Sequence, residues 1–287
     1  MMKGSEQMGY DRGLTMFSPE GRLYQVEYAL EAVKRGTLAV AIKASDGAIL
    51  VVHKKISTTL MDPNQIHKVY LVDKHVGVAI SGLHADARVL TDQARIQAAV
   101  HRLNFDEDVP VEVLVKRICD ISQAYSQHGG VRPFGASLMF VGIDDQGPQL
   151  FTTSPSGTYF SWIAKAIGFK SDECQDYLKE NYKEMKTVDE IKTFAVKVLV
   201  KFVDDPLTPE TIEIGLISAE DKEFALLDVE TRKKILDAAN KEVAKEAKPK
   251  KETKQSKASK ETKEDSDEPK EDSDEPTEDK PSDESEE

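Results

Sequence analysis

Hydrophobic positions along the chain switch between two spacings, and each switch marks a new element. Leu23, Val26, Leu30 and Val33 recur at helical spacing. Ser18-Pro19 ahead of them reads as an N-cap followed by proline at the first helical position, and Gly36 as a C-terminal stop. This predicts an amphipathic helix from about Glu20 to Arg35, preceded by a polar, glycine-containing segment. Two short β-rich runs follow, Thr37–Lys43 and Ala48–His53, with a hairpin signal at Asp46-Gly47. Val69–Val72 and Val76–Ser81 form a second pair around Asp73-Lys74-His75. Helical spacing returns over Ala85–Leu103 and Val111–Gln127, the second stopped by Gly129-Gly130. Strands are predicted at Ser137–Ile143 and Gln149–Thr153, joined through Asp144–Pro148, with weaker signals at Gly157–Phe160 and Ala164–Ile167. The remainder reads as helices Asp172–Tyr182 and Val188–Val203, strands Thr211–Ser218 and Phe224–Leu227, and a charged helix Glu230–Ala247.

Blocks of hairpins thus alternate with pairs of helices. A doubly wound parallel sheet would need strict strand–helix–strand alternation, which is absent. The order predicts an α+β fold of two antiparallel sheets stacked face to face, with helices outside.

Charge changes the picture only at one end. The chain of 287 residues has 39 Lys+Arg and 52 Asp+Glu, a formal net charge of -13. The last 27 residues hold 15 acidic residues and 3 lysines, so residues 1–260 carry only -1. A near-neutral body leaves no positive field for phosphates and argues against nucleic-acid binding. Residues 247–287 are almost entirely Lys, Glu, Asp, Ser, Thr and Pro, with SDEP at Ser266–Pro269 and again at Ser273–Pro276. Such a segment cannot bury enough apolar surface to offset the entropy of ordering it, and is expected to be a disordered acidic tail. The two cysteines, Cys119 and Cys174, form no disulfide framework and have no metal-ligand spacing. No apolar stretch approaches a bilayer-spanning length, and the N-terminus lacks the apolar run of a signal peptide, so a cytoplasmic protein with no membrane partner is expected.

The stretch Tyr10-Asp11-Arg12-Gly13-Leu14-Thr15-Met16-Phe17-Ser18-Pro19-Glu20-Gly21-Arg22-Leu23-Tyr24-Gln25-Val26-Glu27-Tyr28-Ala29 closely resembles the N-terminal signature of proteasome α-type subunits. Gly36-Thr37, Ser81-Gly82-Leu83, Ala85-Asp86-Ala87-Arg88 and Gly129-Gly130-Val131-Arg132-Pro133-Phe134-Gly135 continue the resemblance in order, over about residues 8 to 235. Within that family the sequence resembles the archaeal type. The resemblance implies a four-layer αββα sandwich of the N-terminal-nucleophile hydrolase kind. It divides the chain into a gating segment 1–17, an αββα domain 18–246 and the tail 247–287. It also implies a non-catalytic subunit of seven-membered outer rings, homomeric or shared with another α isoform. These rings cap the β-subunit rings that hold the peptidase sites, and no cofactor or metal is called for.

Peptidases of this fold class use a threonine freed after a glycine, whose own α-amino group takes the hydroxyl proton. Gly36-Thr37 matches that position, so an autoprocessed peptidase with Thr37 as nucleophile is the alternative. The acidic residue such enzymes carry about sixteen positions later is missing, since that place reads His53-Lys54-Lys55. The residues before Thr37 also form a helix inside the α-type signature. Other constellations point elsewhere. Cys119 and His128 lie more than two helical turns apart. Asp86, between His84 and Arg88, suits a helix start. The Gly129–Gly135 loop lacks the Lys-Ser/Thr of a phosphate-binding loop.

What the resemblance leaves is gating and docking. It implies Tyr10, Asp11 and Arg12 as the gate motif over an axial pore, Pro19 as a turn that shifts on activation, and Tyr28 as a partner of the open form. It further implies Glu27, Lys68, Gly82 and Leu83 as the pocket for the C-terminal hydrophobic-Tyr-X tails of proteasome-activating AAA ATPases. A tail carboxylate needs a cation, which Lys68 supplies, and room beside backbone donors, which a glycine supplies. Two departures stand out: Leu30 where archaeal relatives typically carry arginine, and Phe134 where tyrosine is common.

Overall fold

The structure is a computed structural model that describes residues 13, 15–58 and 60–247. Tyr10, Asp11, Arg12 and the acidic stretch after Ala247 lie outside the described residues. The chain divides into two units, Met1–Lys245 and Glu246–Glu287, and the first holds the fold.

Among the described residues, six helices and ten strands follow in the order expected. They are α1 (Tyr24–Lys34), β1 (Ala39–Ala44), β2 (Gly47–His53), β3 (Val69–Asp73), β4 (Val76–Gly82), α2 (His84–Phe105), α3 (Val111–Gln127), β5 (Ala136–Asp144), β6 (Gly147–Thr153), β7 (Tyr159–Ser161), β8 (Ala164–Ile167), α4 (Ser171–Asn181), α5 (Val188–Phe202), β9 (Ile212–Ser218), β10 (Ala225–Leu226) and α6 (Val229–Ala247). A short 3-10 turn, Pro63–Gln65, was not signalled by periodicity. The strands form two five-stranded antiparallel sheets, ordered β10-β9-β2-β1-β8 and β3-β4-β5-β6-β7.

Three apolar clusters build the four layers. Ala39, Ala41, Leu50, Val52, Met139 and Val141 fill the space between the sheets. The alternate residues Val40, Ile42, Ile49 and Val51 turn outward onto Cys174, Ile191, Ala195 and Leu199 of α4 and α5. Val78, Ile80, Leu138 and Phe140 do the same beneath α2 and α3, against Leu90, Ala94, Leu114 and Ile118. Each central strand is therefore buried on both faces, which explains its continuous apolar run. Phe224 closes one end of the sandwich in a slot left by two missing side chains. A Cβ on either Gly77 or Gly215 would lie 2.2 Å from its ring.

Two local expectations are corrected. The first helix begins at Tyr24 rather than near Glu20, and its N-cap is Leu23, not Ser18. Ser18-Pro19-Glu20-Gly21 instead closes a reverse turn through Gly21 N–H to the Ser18 carbonyl at 2.8 Å, with Gly21 at φ +75°. Proline at the second turn position and glycine at the fourth favour this turn over a helix start. The Ser18 hydroxyl still accepts a backbone N–H, that of Arg22, at 3.1 Å. In the first hairpin the loop is Ser45-Asp46, and Gly47 already pairs with Ala44. Its missing side chain leaves room for the Ile217 carbonyl of β9.

Candidate docking site

Helix α1 lies against the point where β4 ends and α2 begins, and a cleft of about 530 Å³ opens between them. Tyr28, Glu31, Ala32 and Arg35 line it from the helix side, Gly36 from the turn that follows, and Gly82 and Leu83 from the sheet side. The wall from α1 arises because Tyr28, Ala32 and Arg35 are spaced i, i+4, i+7 and so share one face. Buried Val26, Ala29 and Val33 anchor the opposite face, and Tyr24, one turn before Tyr28, stacks on its ring.

The junction is held tightly. Ser81 Oγ donates to the Val33 carbonyl at 3.1 Å, tying the end of α1 to β4. Leu83 N–H donates to the Gly135 carbonyl at 2.8 Å. Gly82 sits at φ +101°. In the first turn of α2, the Asp86 carboxylate accepts from both Arg132 terminal nitrogens, at 2.6 and 2.8 Å, and from Gly135 N–H at 2.8 Å. The Gly129–Gly135 loop is thus clamped to the helix start, as its reading as an internal turn requires. Phe134 is buried and packs on Tyr125 with ring centroids 4.5 Å apart.

The residues implied as a pocket are only partly brought together. Gly82, Leu83 and Tyr28 share the cleft. Glu27 lies one position before Tyr28 and is engaged by Arg22, whose Nε donates to Glu27 Oε1 at 2.6 Å and whose Nη2 reaches Oε2. That pairing raises the Arg22 pKa. Lys68 does not line the cleft; it precedes β3, across from the start of α2. Its ammonium is half-buried, and desolvation lowers its pKa against an opposing pull from Glu213. The field of Lys68 is felt at His84, whose pKa is lowered first by burial and then by Lys68 and Arg88. His84 Nε2 and the Tyr70 hydroxyl are 2.9 Å apart. Pro19 is exposed in the reverse turn, and Leu30 lies exposed on α1.

Sequence reasoning missed three participants. Arg35 brings an exposed guanidinium to the cleft, and the helical spacing from Tyr28 could have shown it. Gly36 stands so close to Gly82 that a Cβ on it would lie 2.3 Å from the Gly82 nitrogen. Glu213 is the third. It is 6% exposed, and its Oε2 accepts the N–H groups of Lys68 and Val69 at 2.7 and 3.0 Å. Its Oε1 lies 3.5 Å from Lys54 Nζ and 3.1 Å from His67 Nδ1.

Thr37 is in mid-chain, in the link between α1 and β1. Its Oγ1 is buried without a hydrogen-bond partner among the described residues, and its carbonyl accepts from Ser81 Oγ at 3.3 Å. The Gly36 carbonyl accepts Phe169 N–H at 2.8 Å. The place where a catalytic carboxylate would stand holds His53, which is buried, and the next residue, Lys54, is buried and paired with Glu213. Both thiols are buried, and burial pushes Cys119 and Cys174 up to about 12. His128 Nδ1 is engaged by the Ala124 carbonyl at 2.7 Å.

The Asp86 clamp makes a pH-dependent prediction. Hydrogen bonding to Arg132 holds the Asp86 carboxyl below its ordinary 3.8, with Gly135 N–H acting in the same direction. A depressed folded pKa stabilises fully above the unfolded value and is lost as pH falls through the folded one. Asp86→Asn is expected to cost about 1–2 kcal/mol at pH 7, a value reduced because Arg132 is largely exposed. The gap between variant and parent should narrow below about pH 4 in urea titrations. A gap independent of pH would assign the loss to packing instead.

The family description "Proteasome subunit" matches residues 33–217, and the N-terminal signature of A-type proteasome subunits matches residues 10–32. The chain is similar to the proteasome alpha subunit of Thermococcus sibiricus, with 46% identity over 240 residues, 84% of this chain and 92% of that protein. It is 45% identical to the Pyrococcus abyssi protein of the same name, with the same coverage. To that of Methanosarcina acetivorans it is 47% identical over 224 residues, 78% of this chain and 91% of the relative. Among the described residues, no helix is long and apolar enough to cross a membrane.

Proposed function

The chain belongs to the proteasome subunit family, in its α-type class, and from that premise we propose that it forms the outer wall, gate and docking face of a 20S core. It is a subunit that assembles with others into that core and is not itself the peptidase. The finer reading is a heptameric α ring, alone or mixed with another α isoform. It stacks on β subunits whose threonine sites cut the substrate and receives the tails of an activating AAA ATPase in the cytoplasm. Residues 1–17 are assigned the gate, 18–246 the ring-forming domain and 247–287 a solvated acidic tail.

The observation that carries the docking reading is the cleft between α1 and the β4–α2 junction. Its Tyr28, Ala32 and Leu83 surfaces suit a hydrophobic side chain and a tyrosine ring. Arg35 at the cleft and Lys68 near His84 give the region the positive charge that a terminal carboxylate seeks. The same α1 face continues back to the Ser18–Gly21 turn, so a tail seated beside Tyr28 is one short helix away from Pro19. That path supports coupling between docking and the segment that precedes the turn.

The test is co-expression with a β-type subunit, with native mass and electron microscopy reading ring number. A four-ring particle is expected. In it, deletion of residues 1–12 should raise basal degradation of long unfolded peptides several-fold, with little gain for very short ones. The closed state would be held by surface contacts that a small shift releases. An assembled truncated particle that is no faster on long peptides removes the gate assignment. Thr37→Ala in the same particle should leave peptide hydrolysis and stability nearly unchanged, since the hydroxyl has no partner to lose. Lost hydrolysis at normal assembly would bring back the processed-peptidase alternative.

A further inference from the structure

A second cavity, of about 470 Å³, lies away from the docking cleft, between the β3–β4 turn and the loop joining α2 to α3. Six carboxylates line it, among them Glu107, Asp108 and Asp144, against two lysines, Lys74 and Lys222. Its field therefore favours a cation. At its edge is the His75 imidazole, 2% exposed. His75 Nε2 is 2.8 Å from the Val109 carbonyl oxygen. A carbonyl only accepts, so Nε2 carries the hydrogen and the neutral ring leaves a bare lone pair on Nδ1. That Nδ1 is buried and has no hydrogen-bond partner among the described residues. Asp73 Oδ2 stands 3.9 Å away, beyond hydrogen-bond reach. Donor atoms of Asp73, His75 and Asp108 all lie within 4.8 Å of one another.

We propose that Asp73, His75 and Asp108 form a binding site for a divalent transition-metal ion of the zinc type. Donors around a tetrahedral ion with bonds of about 2.0–2.1 Å stand about 3.4 Å apart, so closure draws each donor inward by up to about 0.7 Å, within reach of a side-chain rotation. An imidazole whose far N–H is fixed by a backbone carbonyl is oriented as metal-ligating histidines are. One imidazole and two carboxylates leave a fourth position for water. Arg102 now bridges the two carboxylates, with Nη2 2.7 Å from both Asp73 oxygens and 2.9 Å from Asp108 Oδ1, and Lys74 Nζ is 3.0 Å from Asp108 Oδ2. Both are long, partly exposed side chains that an entering ion displaces, and Lys74 lines the cavity, whose other carboxylates can receive it. Binding joins the β3–β4 turn to the α2–α3 loop, a tie between residues 33 positions apart. Sequence spacing gives no hint of it, because the donors come from two separate loops.

The full-length chain, stripped with a chelator and dialysed, is titrated with Zn²⁺ at pH 7.5 against a chromophoric chelator, beside Asp108→Asn. Asp108 is exposed, so its replacement leaves the core intact. The parent is expected to hold one ion per chain at least about tenfold more tightly than the variant. Its thermal midpoint should rise with Zn²⁺ more than the variant's does. Weak binding by other acidic residues is common to both chains and cancels. An affinity difference below about tenfold, or no ion held by the parent, overturns the proposal. His75 would then simply be a buried ring beside Asp73.

Discussion

Glu213→Ala is expected to destabilise the chain by about 3–5 kcal/mol, a large part of the roughly 5–15 kcal/mol that holds a domain together. Its two carboxylate oxygens serve four groups. The Lys54 side chain is only 4% exposed and, among the described residues, keeps one other partner, the Pro63 carbonyl at 2.9 Å, once Glu213 is gone. A buried ammonium without its counter-ion is what makes breaking such pairs costly. Lys68 and Val69 also lose the acceptor for their backbone N–H groups at the start of β3. Lys54→Met alone takes the buried ammonium from Glu213 and leaves it the Lys68 and Val69 N–H groups and His67, whereas the double variant removes both charges and should recover part of the loss. A double-mutant cycle in urea, at fixed chain concentration because the protein assembles, should give a coupling above about 1 kcal/mol. Additive losses would mean that Glu213 acts through the β3 backbone and not through Lys54. In either case Lys68 loses its anchor, so ATPase-stimulated degradation should fall more than hydrolysis of short peptides.

The place of Glu213 shows where the sequence is and is not legible. Strand β9 reads Ile212-Glu213-Ile214-Gly215-Leu216-Ile217-Ser218, and its period marks a strand. Nothing local tells that Glu213 points to the interior beside Lys54, the residue after a strand about 160 residues earlier, because that meeting is set by the β2–β9 register. Element types and their order were legible from apolar spacing, since every sheet and helix buries a face. The sheet order β10-β9-β2-β1-β8 was not, because it depends on which distant strands meet. The start of α1 was misread because serine followed by proline opens turns as readily as helices, and Gly21 decided between them. The site was legible mainly through likeness of motif. Gly82, Leu83 and Tyr28 do share a cleft, but their own spacing did not announce it. Arg35 was readable from the helix period, whereas the meeting of Asp73, His75 and Asp108 depends on two loops that only the folded chain brings together.

Gly82→Ala is expected to abolish docking at the cleft and to cost about 2–4 kcal/mol, for two reasons that add. At φ +101° an alanine is strained by roughly 1–2 kcal/mol before any neighbour is considered. Its Cβ would then lie 2.2 Å from the Gly135 carbonyl oxygen and 3.1 Å from Ala136 Cα, a clash with backbone that no rotamer relieves. The Gly135 carbonyl has to move, and it is the acceptor of Leu83 N–H. Leu83 is both the N-cap of α2 and a wall of the cleft, so the same displacement that strains the fold reshapes the binding surface. Gly135 is also held by Asp86, which resists the shift and concentrates it at Leu83. Lys68→Ala provides the contrast, since it removes charge without moving backbone. It should weaken tail binding several-fold while leaving stability within about 1 kcal/mol. Both variants are assembled with a β-type partner and assayed below their melting points, with short-peptide hydrolysis as the control for intact particles. Gly82→Ala particles that hydrolyse short peptides normally yet gain nothing from a free hydrophobic-Tyr-X peptide would locate the tail at this cleft. Full stimulation of those particles would move the docking site elsewhere on the ring, because a Cβ at this position displaces the Gly135 carbonyl that holds Leu83 N–H.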